Sequence, residues 1–363
     1  VEWMGLCCAK FLTDAVMHSS KARQSDAETA SSANLVKRQR QDRTNRRAHA
    51  RWAVSMSTLT ALNFADAHSL QKRQVTMKLL AVALAALQLL PSISLAQSAP
   101  ALDGRLKKIH DTRSIAIAHR TDAAPFSFEE NKQVVGYSID LCRRIVGALE
   151  RQLGLTELKI NWVPVTVQNR FDAVAKGQAD MECGSSTVTL GRMKTVDFSS
   201  FTFVDGTGLL VKASLAANTL GDLGAKKIGV IGGTSNERAL NEALKRRVVN
   251  ATVVPLKSSE EGLAQLEGGA IDAFASDRVL LMALAGKAKE PKGLALLGEA
   301  LSFEPYAITL PRGDWQMRLA VNSALAQIYR SGAIGEIFHR WFGALGRPGA
   351  VTEATFLFGA LPE

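Results

Sequence analysis

The run KINWVPVTVQNRFDAVAKGQADMEC, residues 159–183, holds a strand, a short helix and a second strand in close succession. Lys159–Val165 reads as a strand ending around Pro164. Gln168–Lys176 carries Phe171, Val174 and Ala175 on one helical face, and Ala179–Cys183 returns as a strand. The same order is already running upstream, after a polar linker over about residues 97–103. Ile115–His119 is a short strand. Gly136-Tyr137 opens a helix near 138–153, in which Ile139, Cys142, Ile145, Val146, Leu149 and Leu153 recur at helical spacing. Strand, helix, strand, helix, strand predicts an open α/β sheet.

Downstream the pattern changes and then restarts. Val196–Val211 contains two apolar stretches joined by Asp205-Gly206 and Gly208. A second α/β unit begins with the strand KKIGVI, residues 226–231, followed by a helix over about 236–247, a strand at 252–256, a helix at 259–267 and a strand at 270–275. Residues 277–284 are helical, and 294–297 and 306–310 are strands. A long amphipathic helix spans 314–330, with Leu319, Leu325 and Ile328 expected inward, and a short helix covers 334–341. The expected architecture is two lobes: residues 97–206 plus 305–363, and 207–304 inserted between them. Two crossings near 203–209 and 301–306 would then form a hinge over a cleft. The fold class is α/β, with a Rossmann-like sheet in each lobe.

The 363 residues are 47% hydrophobic and 21% charged, which excludes a disordered chain and a small disulfide-stapled scaffold. A formal charge of +10 invites a nucleic-acid reading, but its distribution argues against one. Residues 1–76 hold 12 Lys/Arg against 6 Asp/Glu, whereas 97–363 hold 31 against 28. At Met77 the chain reads MKLLAVALAALQLLPSISLAQSA, a basic residue, an apolar run and small residues before a cut. We expect residues 77–96 to be a signal peptide, 1–76 to be a spurious upstream extension, and the exported form to begin at Gln97. An exported chain permits disulfides, and Cys142 and Cys183 are its one pair. A bridge across a helix–sheet layer and two buried free thiols are both open. No cysteine or histidine spacing suits a metal, and no cofactor is expected.

Four further stretches fix a resemblance: HRTDAAPFSF at 119–128, VVGYSIDLC at 134–142, VQNRFDAVAKGQADMECGSSTVTLGRMKTVDFS at 167–199, and IGGTSNERAL at 231–240. Together they resemble the periplasmic solute-binding proteins of amino-acid ABC transporters, most of all the glutamate/aspartate-binding branch. The resemblance covers Leu106 to about Phe342. It implies a type II periplasmic-binding fold, with a ligand clamped between two lobes joined by a two-strand hinge. It also assigns roles. Arg120, a positive fork after a strand, suits a carboxylate; a surface arginine is the bland alternative. Arg170 matches the arginine that meets the acidic side chain, although Val167 stands where the branch often has Ser. Ser185 and Thr187 match hydroxyl positions, and Arg192 by family position takes the α-carboxylate, unless it merely pairs with Asp197. Thr234 and Ser235 open a helix whose free N–H groups suit an anion, or they simply cap it. Asp277 is matched to the ligand ammonium. Phe126 is expected on the cleft wall, Phe128 in the core, and Trp315 and Trp341 in packing. A histidine that the branch may supply near residue 259 is absent.

Three arginines against one aspartate suit an amino acid with two carboxylates and one ammonium, so L-glutamate or L-aspartate is the expected ligand. Glutamine and asparagine remain open. The expected partner is the membrane permease of an ABC importer, and the receptor is expected to be a monomer in the periplasm. An enzyme of the dehydratase kind would need a general acid or base in the pocket. His119, next to Arg120 on a strand, should point away from the cleft. A sensor domain would need a signalling part, and only about 20 residues follow 342.

Overall fold

The computed structural model describes residues 101–362. The expected signal peptide at 77–96, the cut before Gln97 and the upstream extension at 1–76 lie outside them. In chain order the elements are α1 (Gly104–Thr112), β1 (Ser114–Arg120), β2 (Asp122–Ala123), β3 (Ser127–Glu130), β4 (Gln133–Val135), α2 (Tyr137–Leu153), β5 (Lys159–Val165), α3 (Arg170–Ala175), β6 (Met181–Glu182) and β7 (Val196–Asp205). Then come β8 (Thr207–Lys212), β9 (Lys227–Ile231), α4 (Ser235–Arg247), β10 (Thr252–Leu256), α5 (Ser259–Gly268), β11 (Ala273–Asp277), α6 (Arg278–Ala285) and β12 (Leu294–Leu296). The chain closes with β13 (Glu304–Pro311), α7 (Trp315–Arg330), α8 (Ala333–Phe342) and α9 (Ala350–Gly359).

These strands form two mixed five-stranded sheets, ordered β5-β1-β6-β13-β7 and β10-β9-β11-β8-β12, with a small third sheet β2-β3-β4. In the first sheet β13 runs antiparallel to β6 and β7, and in the second β8 runs antiparallel to β11 and β12. The chain leaves the first sheet at Asp205 and enters the second at Thr207. The single residue between them is Gly206, where a Cβ would meet the Ser302 carbonyl oxygen at 2.7 Å. Glycine is therefore what lets the outgoing crossing pass against the returning one. The two crossings are also tied by Leu301 N donating to Thr207 O at 2.8 Å.

Each sheet buries its own core, as an α/β lobe requires. Ile115, Ile117, Ile139, Leu141, Ile145 and Leu149 anchor the first; Leu209, Val211, Ile228, Val230 and Leu240 anchor the second. Cys142 of α2 and Cys183 after β6 are bonded, with S–S 2.03 Å and Cα–Cα 6.5 Å.

Four packing expectations need correction. Phe126 is 0% exposed and its ring lies among those of Tyr137, Phe203, Tyr306 and Phe342, so it is core and not cleft wall. Phe128 is instead half-buried, edge-on to Trp341 and 5.8 Å from Lys287 Nζ of the second lobe. Trp315 is 53% exposed, and Leu319 is 58% exposed. The buried stripe of α7 runs through Met317, Ala320, Val321, Ala324, Leu325 and Ile328, and Leu319 falls off it.

Candidate functional site

A narrow cavity of about 20 Å³ lies between the lobes. The first lobe contributes Arg120 from the end of β1, Val167, Arg170 from the start of α3, and Ser185 and Thr187 from the loop after β6. The second contributes Thr234, Ser235 and Asn236 around the start of α4, Ser259 at the start of α5, and Ser276 and Asp277 at the end of β11. Strand C-termini and helix N-termini thus converge from both sides, where α/β sheets ordinarily take ligands.

Arg170 is the most exacting member. It is 4% exposed, its Nε has no hydrogen-bond partner, and among the described residues no carboxylate stands within ion-pair distance. Burial pulls its pKa down to about 10, against the opposing field of Glu182. A buried cation without a protein counter-ion is costly unless an anion reaches it. Arg120 differs. Its Nη2 donates to Asp122 Oδ1 at 2.5 Å, and its buried Nε has no partner. One of the three arginines therefore already has a carboxylate, and the simple count of three against one no longer holds.

Arg192 does not line the cavity. It stands half-buried behind Thr187, donating from Nη1 to the Thr187 carbonyl oxygen at 2.7 Å. Asp197 is not its partner, because that carboxylate accepts from Gly313 N at 3.0 Å. Ser185 and Thr187 do face the cavity, and Thr187 Oγ1 accepts from Ser235 Oγ of the opposite lobe at 3.3 Å. Thr234 caps α4, accepting from Glu237 N at 3.1 Å and donating to Ile231 O at 2.7 Å. His119 packs edge-on against Trp162 and takes no part in the cavity.

Asp277 precedes α6 but makes no side-chain cap, which frees its carboxylate for the cavity. Oδ2 accepts from Asn236 Nδ2 at 3.2 Å, and Oδ1 has no partner; the Tyr306 hydroxyl sits beside it, off hydrogen-bond geometry. Burial first, then the Asp205 and Glu304 carboxylates, push Asp277 up to about 7. Asp205 itself is raised to about 6 by burial, although Gly206 N and Val279 N donate to it at 2.8 and 3.0 Å.

Several residues emerge that sequence reasoning missed. Asn236 is one; its place two residues after the Thr234 cap was the available signal, since that is where a helix turns its first side chains toward an anion. Glu182 is another, wholly buried in β6, with Oε2 accepting from Thr309 Oγ1 at 2.8 Å and Oε1 without a partner. A Cβ on Gly184 would lie 2.2 Å from that Oε1, so the glycine makes room for the carboxylate beneath the 184–187 loop. Ser259 occupies the wall near which a histidine was looked for. Among the described residues no group of three His, Cys, Asp or Glu is placed to hold a metal ion.

Comparison with known proteins bears on this geometry. The profile of the bacterial extracellular solute-binding proteins, family 3, matches residues 115–344. The chain is 36% identical over 243 residues to the L-glutamate/L-aspartate-binding protein of Pseudomonas aeruginosa, covering 66% of this chain and 80% of that one. It is 35% identical over 270 residues to the glutamate/aspartate import solute-binding protein of Escherichia coli K12, covering 73% and 89%. Among solved structures, an ancestral amino-acid-binding protein described as a precursor of cyclohexadienyl dehydratase is 26% identical, with a TM-score of 0.57 over 66% of this chain and 100% of that one.

Proposed function

The chain belongs to the bacterial extracellular solute-binding proteins of family 3, and from that premise we propose that its cleft receives an acidic L-amino acid, glutamate or aspartate. Members of this family are transport receptors and not enzymes, and this chain is a periplasmic solute-binding protein of an ABC importer for an amino acid. The finer identity of the ligand is our own reading. The observation that carries it is Arg170: buried, without a counter-ion among the described residues, and turned to a cavity whose opposite wall holds Asp277. In this reading Arg170 takes the side-chain carboxylate. Arg120, Ser185 and Thr187 bind from the first lobe, and the N-terminal turn of α4 at Thr234 and Ser235 meets the ligand from the second. Asp277 takes the ammonium, and Arg192 supports the α-carboxylate from behind Thr187.

One observation favours a second reading. The Arg120–Asp122 pair removes positive charge from the cleft, which suits an amide ligand, glutamine or asparagine. Calorimetric titration decides between them, using protein unfolded and refolded to strip carried-over ligand. Tighter binding of L-glutamate and L-aspartate than of their amides is expected, and the reverse order would install the second reading.

A further inference from the structure

Two guanidinium groups rest on a single aromatic ring in the first lobe. The Arg170 Cζ lies 4.9 Å from the centroid of Phe171, and the Arg192 Cζ lies 4.7 Å from it. Phe171 is the second residue of α3, and Arg192 begins the short turn Arg192–Lys194 after the 184–187 loop, so the ring joins two segments far apart in sequence. The Arg192 charge opposes that of Arg170, although the Glu182 carboxylate lies in the field of both. Nothing anionic separates them within ion-pair distance among the described residues. Both lie over the ring of Phe171, whose negative π-system attracts a cation. Phe171 is itself half-buried, edge-on to Phe198 at 6.4 Å and 74°, and packed against the cluster of Val196, Phe198 and Ala307. An aliphatic residue would keep much of that apolar packing, though not the edge-on contact with Phe198. Only an aromatic one also serves two arginines.

We propose that Phe171 is a positioning residue of the cleft: its ring holds the guanidinium groups of Arg170 and Arg192 together despite their repulsion, and so sets the preference for a ligand bearing a side-chain carboxylate. The inference rests on the acidic-ligand reading above and deepens it. Without the ring, Arg170 swings away from its place on the cavity wall, and an acidic ligand loses more than its amide does. Arg192 loses its support behind Thr187 as well, which touches both ligands alike.

The test is calorimetric titration of the stripped wild type, F171L and F171Y with L-glutamate and L-glutamine, beside ligand-free melting curves. F171L should weaken glutamate roughly tenfold and glutamine less than about threefold, while F171Y keeps both within about twofold. The ligand-free melt of F171L should fall by only a few degrees, since most of the apolar packing is kept. Should F171L not fold, F171M carries the same expectation. An unchanged glutamate-to-glutamine ratio in F171L, or an equal loss in F171Y, overturns the inference while a wild type that prefers glutamate leaves the ligand reading standing. A wild type that binds glutamine at least as well as glutamate overturns both.

Discussion

Arg170 and Arg192 should behave differently when removed. Arg170→Ala takes away the cation proposed for the side-chain carboxylate. It should cost acidic ligands about 3–5 kcal/mol, a hundredfold or more, and their amides far less. Arg192→Ala removes the donor behind the Thr187 carbonyl, part of the wall that every ligand shares, and should weaken glutamate, aspartate, glutamine and asparagine together. Titration of both variants against the four amino acids checks this; an unchanged glutamate-to-glutamine ratio in Arg170→Ala would show that residue wrongly placed. Asp277 adds a pH dependence. Its pKa in the folded chain is raised from 3.8 to about 7, so the folded chain holds a proton there that the unfolded chain releases above about pH 4. The associated stability is fully present below the unfolded value and is lost as pH rises through about 7, and Asp205, raised to about 6, acts in the same direction. His119, whose pKa burial lowers, acts against them as pH falls below its ordinary 6.5. Binding runs the other way, because an ammonium needs Asp277 ionised: affinity should fall as pH drops below about 7, by at most about tenfold per unit. Titration at pH 5, 6, 7 and 8 checks it, and affinity that rises toward pH 5 would remove Asp277 from the ammonium site. Arg120 and Arg170 line the cavity as their places beside a strand end and a helix start suggested, whereas Arg192 stands behind Thr187. Asp122 and Glu182 could not be placed, since nothing in a linear sequence says which carboxylate folds back onto which cation.

At the scale of elements, α1 is held on the first sheet by one buried acid. Asp180 is wholly buried; it accepts from Lys108 Nζ at 2.8 and 2.9 Å, from Arg105 Nη1 at 3.5 Å and from Ala116 N at 2.8 Å. Asp180→Ala frees two partly exposed cations and orphans a strand N–H, which should lower stability by about 2–3 kcal/mol; Asp180→Asn, keeping an acceptor for Ala116, should lose about half as much. The urea midpoint at unchanged slope reads this, and a loss under about 0.5 kcal/mol in Asp180→Ala would make the tie incidental. The helix itself escaped sequence reading because GRLKKIHDT buries only Leu106 and Ile109, too few for a periodic stripe. The terminal helix α9 escaped for a different reason. AVTEATFLFG is apolar nearly throughout and buries only Thr352 and Gly359, with Leu357 and Phe358 exposed, so no single face stands out. The strands β2 and β4 are two and three residues long, below the length at which alternation becomes visible. Where a segment buries one consistent face, as α2 does from Ile139 to Leu153, its limits were readable almost to the residue.

Across the whole molecule, the restart of strand–helix alternation at residue 226 pointed to two α/β units, and the return of the last strand to the first unit came from the resemblance. What the sequence could not reveal is how the crossings are tied. Ser302 Oγ lies 2.6 Å from Glu304 Oε1 and 2.8 Å from Thr207 Oγ1, its one proton serving either, and Thr207 Oγ1 donates to Asn236 Oδ1 at 2.6 Å. This chain of hydroxyls and amide links the hinge to Asn236, and through its Nδ2 to Asp277 on the cavity wall. Val279 and Leu280 of the second lobe pack against the core of the first, so the contacts across the cleft are apolar as well as polar. A ligand that engages Arg170 on one side and Asp277 on the other therefore adds its binding energy to contacts that already join the lobes, and none of it is available to the unfolded chain. At a ligand concentration of 100 times Kd this linkage amounts to about 2.7 kcal/mol. For a chain of this size that corresponds to a rise in melting temperature of roughly 5–10 °C. Stripped protein melted at pH 7.5 with and without saturating L-glutamate should show the rise, and Arg170→Ala should lose most of it at the same concentration. Because Asp277 must ionise to hold the ammonium, the rise should shrink at pH 5 even though the ligand-free protein gains stability from Asp277 and Asp205 there. A melt that moves equally at both pH values would mean that glutamate is held without Asp277, and so not between the two lobes in the way proposed.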